Sequence, residues 1–289
     1  MKTKRIVCIL FFCCIIFNAH AYAKSPVWKI SKNGYHLFLG GTIHLLTKSD
    51  YPLPRAFETA YNNSTLLVLE TDLQKFGEPE FQQTILHSTM YTGKQNITQF
   101  LKPTTAKSLE THLANRGIPM EPMLKFKPGM LSVTLTLVEL QRLGLVGTGV
   151  DEFFNLRALN DSKKIKYLET VFDQLEFLSK MGEGNENEFI AYTLKDLNNL
   201  SSQFSSIREA WKNGDNTRLE KIGLDPWKEH FPKLYNSLLV ERNKNWISQI
   251  ERMLQTREVE FVLFGALHLA GEQGLLAKLA DLGCEIENQ

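Results

Sequence analysis

The chain has 289 residues, 43% of them hydrophobic, which is enough to build a substantial core. Its 33 Lys and Arg nearly balance 32 Asp and Glu, and no basic stripe interleaves with aromatics, so nucleic acid is excluded as an expected partner. No linker, low-complexity stretch or short-period repeat divides it, so one large domain over residues 24–289 is expected.

Lys2, Lys4 and Arg5 precede an apolar run over residues 6–17, and Ala21-Tyr22-Ala23 has the small-x-small form of a cleavage site. Residues 1–23 therefore read as a signal peptide, and the protein as exported to the periplasm or the extracellular space. Cleavage removes three positive charges and no acidic residue, taking the formal net charge from +1 to −2. It also removes Cys8, Cys13 and Cys14 and leaves Cys284 alone, so no internal disulfide is expected. No later run approaches the length of a membrane span, so none is expected after cleavage.

Val27-Trp28-Lys29-Ile30 and Tyr35-His36-Leu37-Phe38-Leu39 flank Asn33-Gly34, a hairpin signal because both central residues of a type I′ turn need positive φ. Residues 54–62 read as a short helix opened by Pro54. Thr65-Leu66-Leu67-Val68-Leu69 has the pattern of a strand buried on both faces. Helices are expected over 103–116, 127–143 and 150–160, the first two closed by Gly117 and Gly144. Residues 164–168 form the next strand. Helices follow over 171–181 and through about 186–256, then a strand over 260–264, a helix over 271–282 and an edge strand at 284–286. This is an α/β chain with a largely parallel central sheet, flanking helices, a large helical insert and two pseudo-symmetric halves.

Two phrases repeat across those halves. Gly41-Thr42-Ile43-His44-Leu45 and Gly265-Ala266-Leu267-His268-Leu269 each close an apolar strand with Gly-x-x-His-Leu, 224 residues apart. Leu69-Glu70-Thr71 and Leu168-Glu169-Thr170 close two more. In parallel α/β sheets ligands bind at the carboxyl ends of strands, so His44, Glu70, Glu169 and His268 form a candidate shared site. Two imidazoles with carboxylates can hold a divalent first-row metal, or can perform general acid/base chemistry without one. Arg242-Asn243, ahead of the last core strand, would add a positive fork and a neutral donor toward an oxyanion. His87, His112 and His230 lie in polar helical stretches and read as solvated.

These motifs, with Gly149-Val150-Asp151, Gln174, Trp211 and Gly214-Asp215, resemble the TraB/GumN family over nearly the whole mature chain. The family is similar to the Tiki proteins, which are metal-dependent peptidases. That resemblance implies an exported peptidase or amidase acting on a peptide or small molecule. His44, Glu70 and His268 would hold a divalent transition metal (Mn, Co or Zn), and Glu70 and Glu169 with Arg242 and Asn243 would be the catalytic groups. The same superfamily also resembles erythromycin-esterase-like hydrolases, which need no metal, and ChaN-like haem-binding proteins, which are not enzymes. Both stand as alternatives.

Overall fold

The computed structural model describes residues 24–145 and 147–289; the predicted signal peptide lies outside the described residues. Among the described residues eight strands are formed: β1 (Val27–Lys32), β2 (Tyr35–Thr42), β3 (Leu45–Leu46), β4 (Leu66–Leu69), β5 (Gly147–Thr148), β6 (Lys164–Tyr167), β7 (Glu260–Gly265) and β8 (Glu285–Asn288). Six of them make the central sheet in the order β6-β4-β7-β2-β1-β8, and β3 pairs with β5 apart from it. The four adjacent strands β6, β4, β7 and β2 are mutually parallel, with β6 at the edge, while β1 is antiparallel to both β2 and β8. The expected parallel sheet is therefore present. The hairpin turns at Asn33 and Gly34 with φ of 51° and 83°, the positive values that chemistry demands.

β7 lies between β2 and β4, so the last core strand is inserted into the first β-α-β unit. This insertion brings the two ends of the chain together, and it pairs strands that carry matching motifs. β2 and β7 run side by side, with Thr42 opposite Gly265, and β4 and β6 run side by side, with Leu69 opposite Tyr167.

β2, β4 and β7 carry apolar, buried residues on both faces because both are covered. On one face Phe57 of the helix Arg55–Asn63, Phe154 of Val150–Asn160 and Trp211 of Leu200–Lys212 pack with Leu67, Leu69 and Phe261. On the other, Trp246 and Ile250 of the helix Glu241–Met253 and Leu279 of Leu275–Asp281 pack with Leu39, Val68, Val262 and Phe264. The helical insert has a small core of its own, built on Leu109, Leu131, Leu135, Phe189 and Ile190.

The helices expected through 186–256 are present, and two π-helical turns lie among them at Glu220–Leu224 and Asn236–Val240. One expectation is corrected: His112 is buried, 8% exposed, and not solvated. It lies three residues after Leu109 and next to Leu113, so the apolar stripe of Pro103–Ala114 carries it into the insert core. Burial, and then the charges of Arg116 and Arg142, lower its pKa to about 4, so it is held neutral. His87 and His230 are exposed, as expected.

Candidate active site

All four parallel strands end on the same side of the sheet, and the motif residues meet there. Glu70 follows β4 and Glu169 follows β6, and the ladder continues between them through Glu169 N donating to Glu70 O at 2.9 Å. His44 follows β2. His268 sits on the short turn Ala266–Leu269 that follows β7. The close approach of the two Gly-x-x-His turns depends on Gly41, where a Cβ would lie 2.9 Å from Leu269 Cδ1 and 3.1 Å from the Ala266 Cα. Its carbonyl accepts a hydrogen bond from the buried Trp211 indole at 2.7 Å, which fixes the turn.

Arg242 is the hub of the site. It lies in the first turn of the helix Glu241–Met253, as expected, and its side chain is only 11% exposed. Nε and Nη2 donate to the two oxygens of Glu169 at 3.1 and 2.7 Å. Nη2 also donates to Glu70 Oε2 at 2.5 Å, and Nη1 donates to His268 Nε2 at 3.1 Å. The guanidinium lies 4.6 Å from the ring centre of Trp246, so it is also held by a cation–π contact.

The other partners complete the lock. Glu70 Oε1 accepts from Gly265 N at 2.7 Å, and its Oε2 accepts from Gln174 Nε2 at 3.2 Å. Burial works against the Glu70 charge, but Arg242, then the two histidines and the Gly265 amide, outweigh it and hold the pKa at about 2. Burial pushes Glu169 upward, with Arg242 pulling against it. Asn243 is buried and donates from Nδ2 to the carbonyls of His268 and Gln273, so its Oδ1 must be the acceptor for His268 Nδ1–H at 2.7 Å. His268 is thus a neutral Nδ1–H tautomer whose Nε2 lone pair faces Arg242. Burial is the main reason its pKa falls to about 3.

His44 has a different environment. Its side chain is 71% exposed, and its Nδ1 contacts Asp151 Oδ2 at 2.9 Å. The Asp151 charge and hydrogen bond raise the His44 pKa to about 9. Asp151 is delivered by the Gly147-Thr148-Gly149 turn. Val150 N donates to Ile43 O at 3.1 Å, and a Cβ on Gly149 would lie 2.3 Å from the His44 carbonyl oxygen. Only glycine allows that approach, and the first turn of the next helix then places Asp151 beside the imidazole. Sequence reasoning gave Asp151 no role; the Gly-x-Gly turn leading into a helix with an early acid was the available signal.

Two cavities open on this group of residues. The larger, about 360 Å³, is lined by His44, Glu70, Arg242 and His268 and by apolar side chains that include Ile207, Trp227, Leu238 and Leu267. Both π-helical turns contribute to its wall, through Leu224 and through Leu238 and Leu239, and such turns frequently occur at functional sites. The smaller, about 220 Å³, shares Thr42, His44 and Glu70 with it and continues to Thr71, Asp151 and Gln174.

His44, Glu70 and His268, the three expected metal ligands, therefore line one cavity. As arranged, they do not fit a divalent ion. The His268 Nε2 lone pair faces an Arg242 N–H, both Glu70 oxygens accept hydrogen bonds, and the guanidinium supplies positive charge among them. Among the described residues no group of three or more His, Cys, Asp or Glu is placed to hold a metal. Asn243 likewise has its amide committed to two carbonyls.

Neither the curated proteins nor the solved structures contain a match to this chain. A model of the TraB/PrgY/gumN family matches residues 26–288, which include every residue of the site, and the chain belongs to that family.

Proposed function

We propose that this protein is an exported hydrolase that cleaves an ester or amide bond in its larger cavity, with His44 as the proton-transferring group. The observation that carries this reading is the His44–Asp151 pair. One ring nitrogen is held by a carboxylate, and the exposed imidazole forms part of the cavity wall. That is the arrangement a general base needs, because Asp151 fixes the tautomer and steadies the imidazolium that forms. The base is the neutral imidazole, which predominates above the His44 pKa of about 9; its Nε2 takes a proton from water and the water oxygen bonds to the substrate carbonyl carbon. The bond to the leaving group then breaks, and the leaving group receives the proton from His44. The buried Arg242 provides fixed positive charge at the cavity wall, and Glu70, Glu169, His268 and Asn243 hold it there.

A metal-dependent peptidase is the second reading, with Mn, Co or Zn held by His44, Glu70 and His268. It is favoured by the placement of all three on one cavity, and it requires Arg242 to release His268 and Glu70. The test of the hydrolase reading is turnover of a panel of short acyl esters and fluorogenic peptides by the wild type, His44→Ala and Asp151→Asn. We expect at least one substrate to be turned over, with a loss of roughly a hundredfold or more in His44→Ala. Equal rates in wild type and His44→Ala would remove His44 from the mechanism.

A further inference from the structure

The two cavities differ in chemistry, and they meet at His44. Thr42, His44 and Glu70 line both. The larger is walled mainly by aliphatic and aromatic side chains. The smaller combines apolar residues such as Leu73 and Phe76 with a larger share of polar groups, and three of its residues carry a buried side-chain oxygen with no hydrogen-bond partner within the chain: Thr42 Oγ1, Thr71 Oγ1 and Asp151 Oδ1. Thr42 and Thr71 are 3% and 1% exposed. Most buried polar atoms in a folded protein are paired, because an unpaired one keeps the cost of leaving water and gains nothing for it. Three such atoms around one small cavity therefore point to a ligand that pairs with them.

From these observations, and resting on the hydrolase reading, we infer that the substrate is amphipathic. Its apolar part occupies the larger cavity, and a small neutral head bearing hydroxyl groups occupies the smaller one, with the scissile bond between them beside His44. The unpaired atoms are a carboxylate oxygen, which only accepts, and two hydroxyls, which donate or accept. A head that donates hydrogen bonds satisfies all three. The head is neutral because neither carboxylate of this cavity is free to pair with a cation: Glu70 is paired with Arg242, and Asp151 is held by the His44 ring nitrogen. Its volume of about 220 Å³ suits a group of a few heavy atoms, a water molecule taking roughly 30 Å³ in the liquid.

The test uses the purified full chain and three esters of one six-carbon acid, with methanol, glycerol or 2-aminoethanol as the alcohol. We expect kcat/KM for the glycerol ester to exceed that for the methyl ester by roughly tenfold or more, because a site built to hydrogen-bond a hydroxyl discriminates against its absence. The ratio falls toward one in Thr71→Val, a substitution that keeps side-chain shape and removes only an unpaired hydroxyl. Thermal unfolding of Thr71→Val no earlier than the wild type shows that the variant folds. Equal rates for the glycerol and methyl esters, a ratio unchanged in Thr71→Val, or the aminoethyl ester as the best substrate would each overturn the inference. Calorimetry with 1-O-hexylglycerol and hexyl methyl ether separates this inference from the hydrolase reading. A tenfold preference for the glycerol ether without turnover of any ester supports the amphipathic site and removes the hydrolase. Equal binding together with turnover does the reverse.

Discussion

Replacing Arg242 by Met tests the electrostatic organisation of the site. The substitution keeps an unbranched side chain and removes five contacts: two to Glu169, one to Glu70, one to His268 and one to the Leu238 carbonyl at 3.3 Å. Two carboxylates that are 14% and 8% exposed are left side by side without a cation. Breaking a buried ion pair in this way costs about 3–5 kcal/mol, because the remaining charge stays buried and uncompensated. At about 2–4 °C per kcal/mol for a domain of this size, the melting temperature falls by roughly 10 °C. The loss depends on pH. In the wild type the low Glu70 pKa contributes stability that is present above its unfolded value of 4.5 and is lost as pH falls toward about 2. In Arg242→Met, Glu70 moves above 4.5, and Glu169, already raised by burial, moves higher still. Their contribution is then present below 4.5 and is lost as pH rises through the new, higher values. The gap between the two proteins should therefore be wide at pH 8 and narrow toward pH 4. Urea unfolding across that range measures it. A gap below about 1 kcal/mol, or one of constant size at every pH, would refute the placement of Arg242 between two buried carboxylates.

Three further outcomes follow from named contacts. Asp151→Asn removes the main cause of the raised His44 pKa, so the ring should titrate below the wild-type value of about 9 and nearer 6.5; solvent screening of this exposed pair makes the expected shift about 1–2 units by NMR titration. Burial works against the charge of Asp50, yet Lys212 and Thr47 hold its pKa at about 2. The wild type should therefore lose about 2 kcal/mol relative to Asp50→Asn as pH falls from about 4 to 2, measured by chemical unfolding. Gly41→Ala places a methyl group within 3.1 Å of the Ala266 backbone, and the strain should cost about 1–3 kcal/mol and reduce turnover by moving the two histidine turns apart, both read on the purified variant.

Much of the fold could be read before the structure because its signals are local. Asn33-Gly34 announces a hairpin through the φ values it tolerates, and the apolar run at 65–69 announces a strand covered on both faces. The meeting of His44, Glu70, Glu169 and His268 was legible too, since parallel strands that end in the same motif end on the same side of the sheet. The bonds that define the site were not legible, because they join distant segments. Arg242 meets Glu169 from 73 residues away and Glu70 from 172, and His44 meets Asp151 from 107. Sequence supplied the donors of a metal site. Only the packing of the helix Glu241–Met253 against the sheet shows that a guanidinium lies among them. The burial of His112 is hidden from the sequence for a related reason. Its helix is polar overall, and its one buried stripe is defined by a partner helix elsewhere in the chain.

The central claim is that His44, supported by a fixed guanidinium, carries the chemistry. The most direct test is kcat/KM for the best ester or peptide substrate, measured on metal-stripped protein in the presence of a chelator and again after addition of Mn, Co or Zn. The account predicts a rate that survives chelation and does not rise with added metal. Abolition of turnover by the chelator, with recovery on adding one of these ions, would contradict it and assign His44, Glu70 and His268 to a metal.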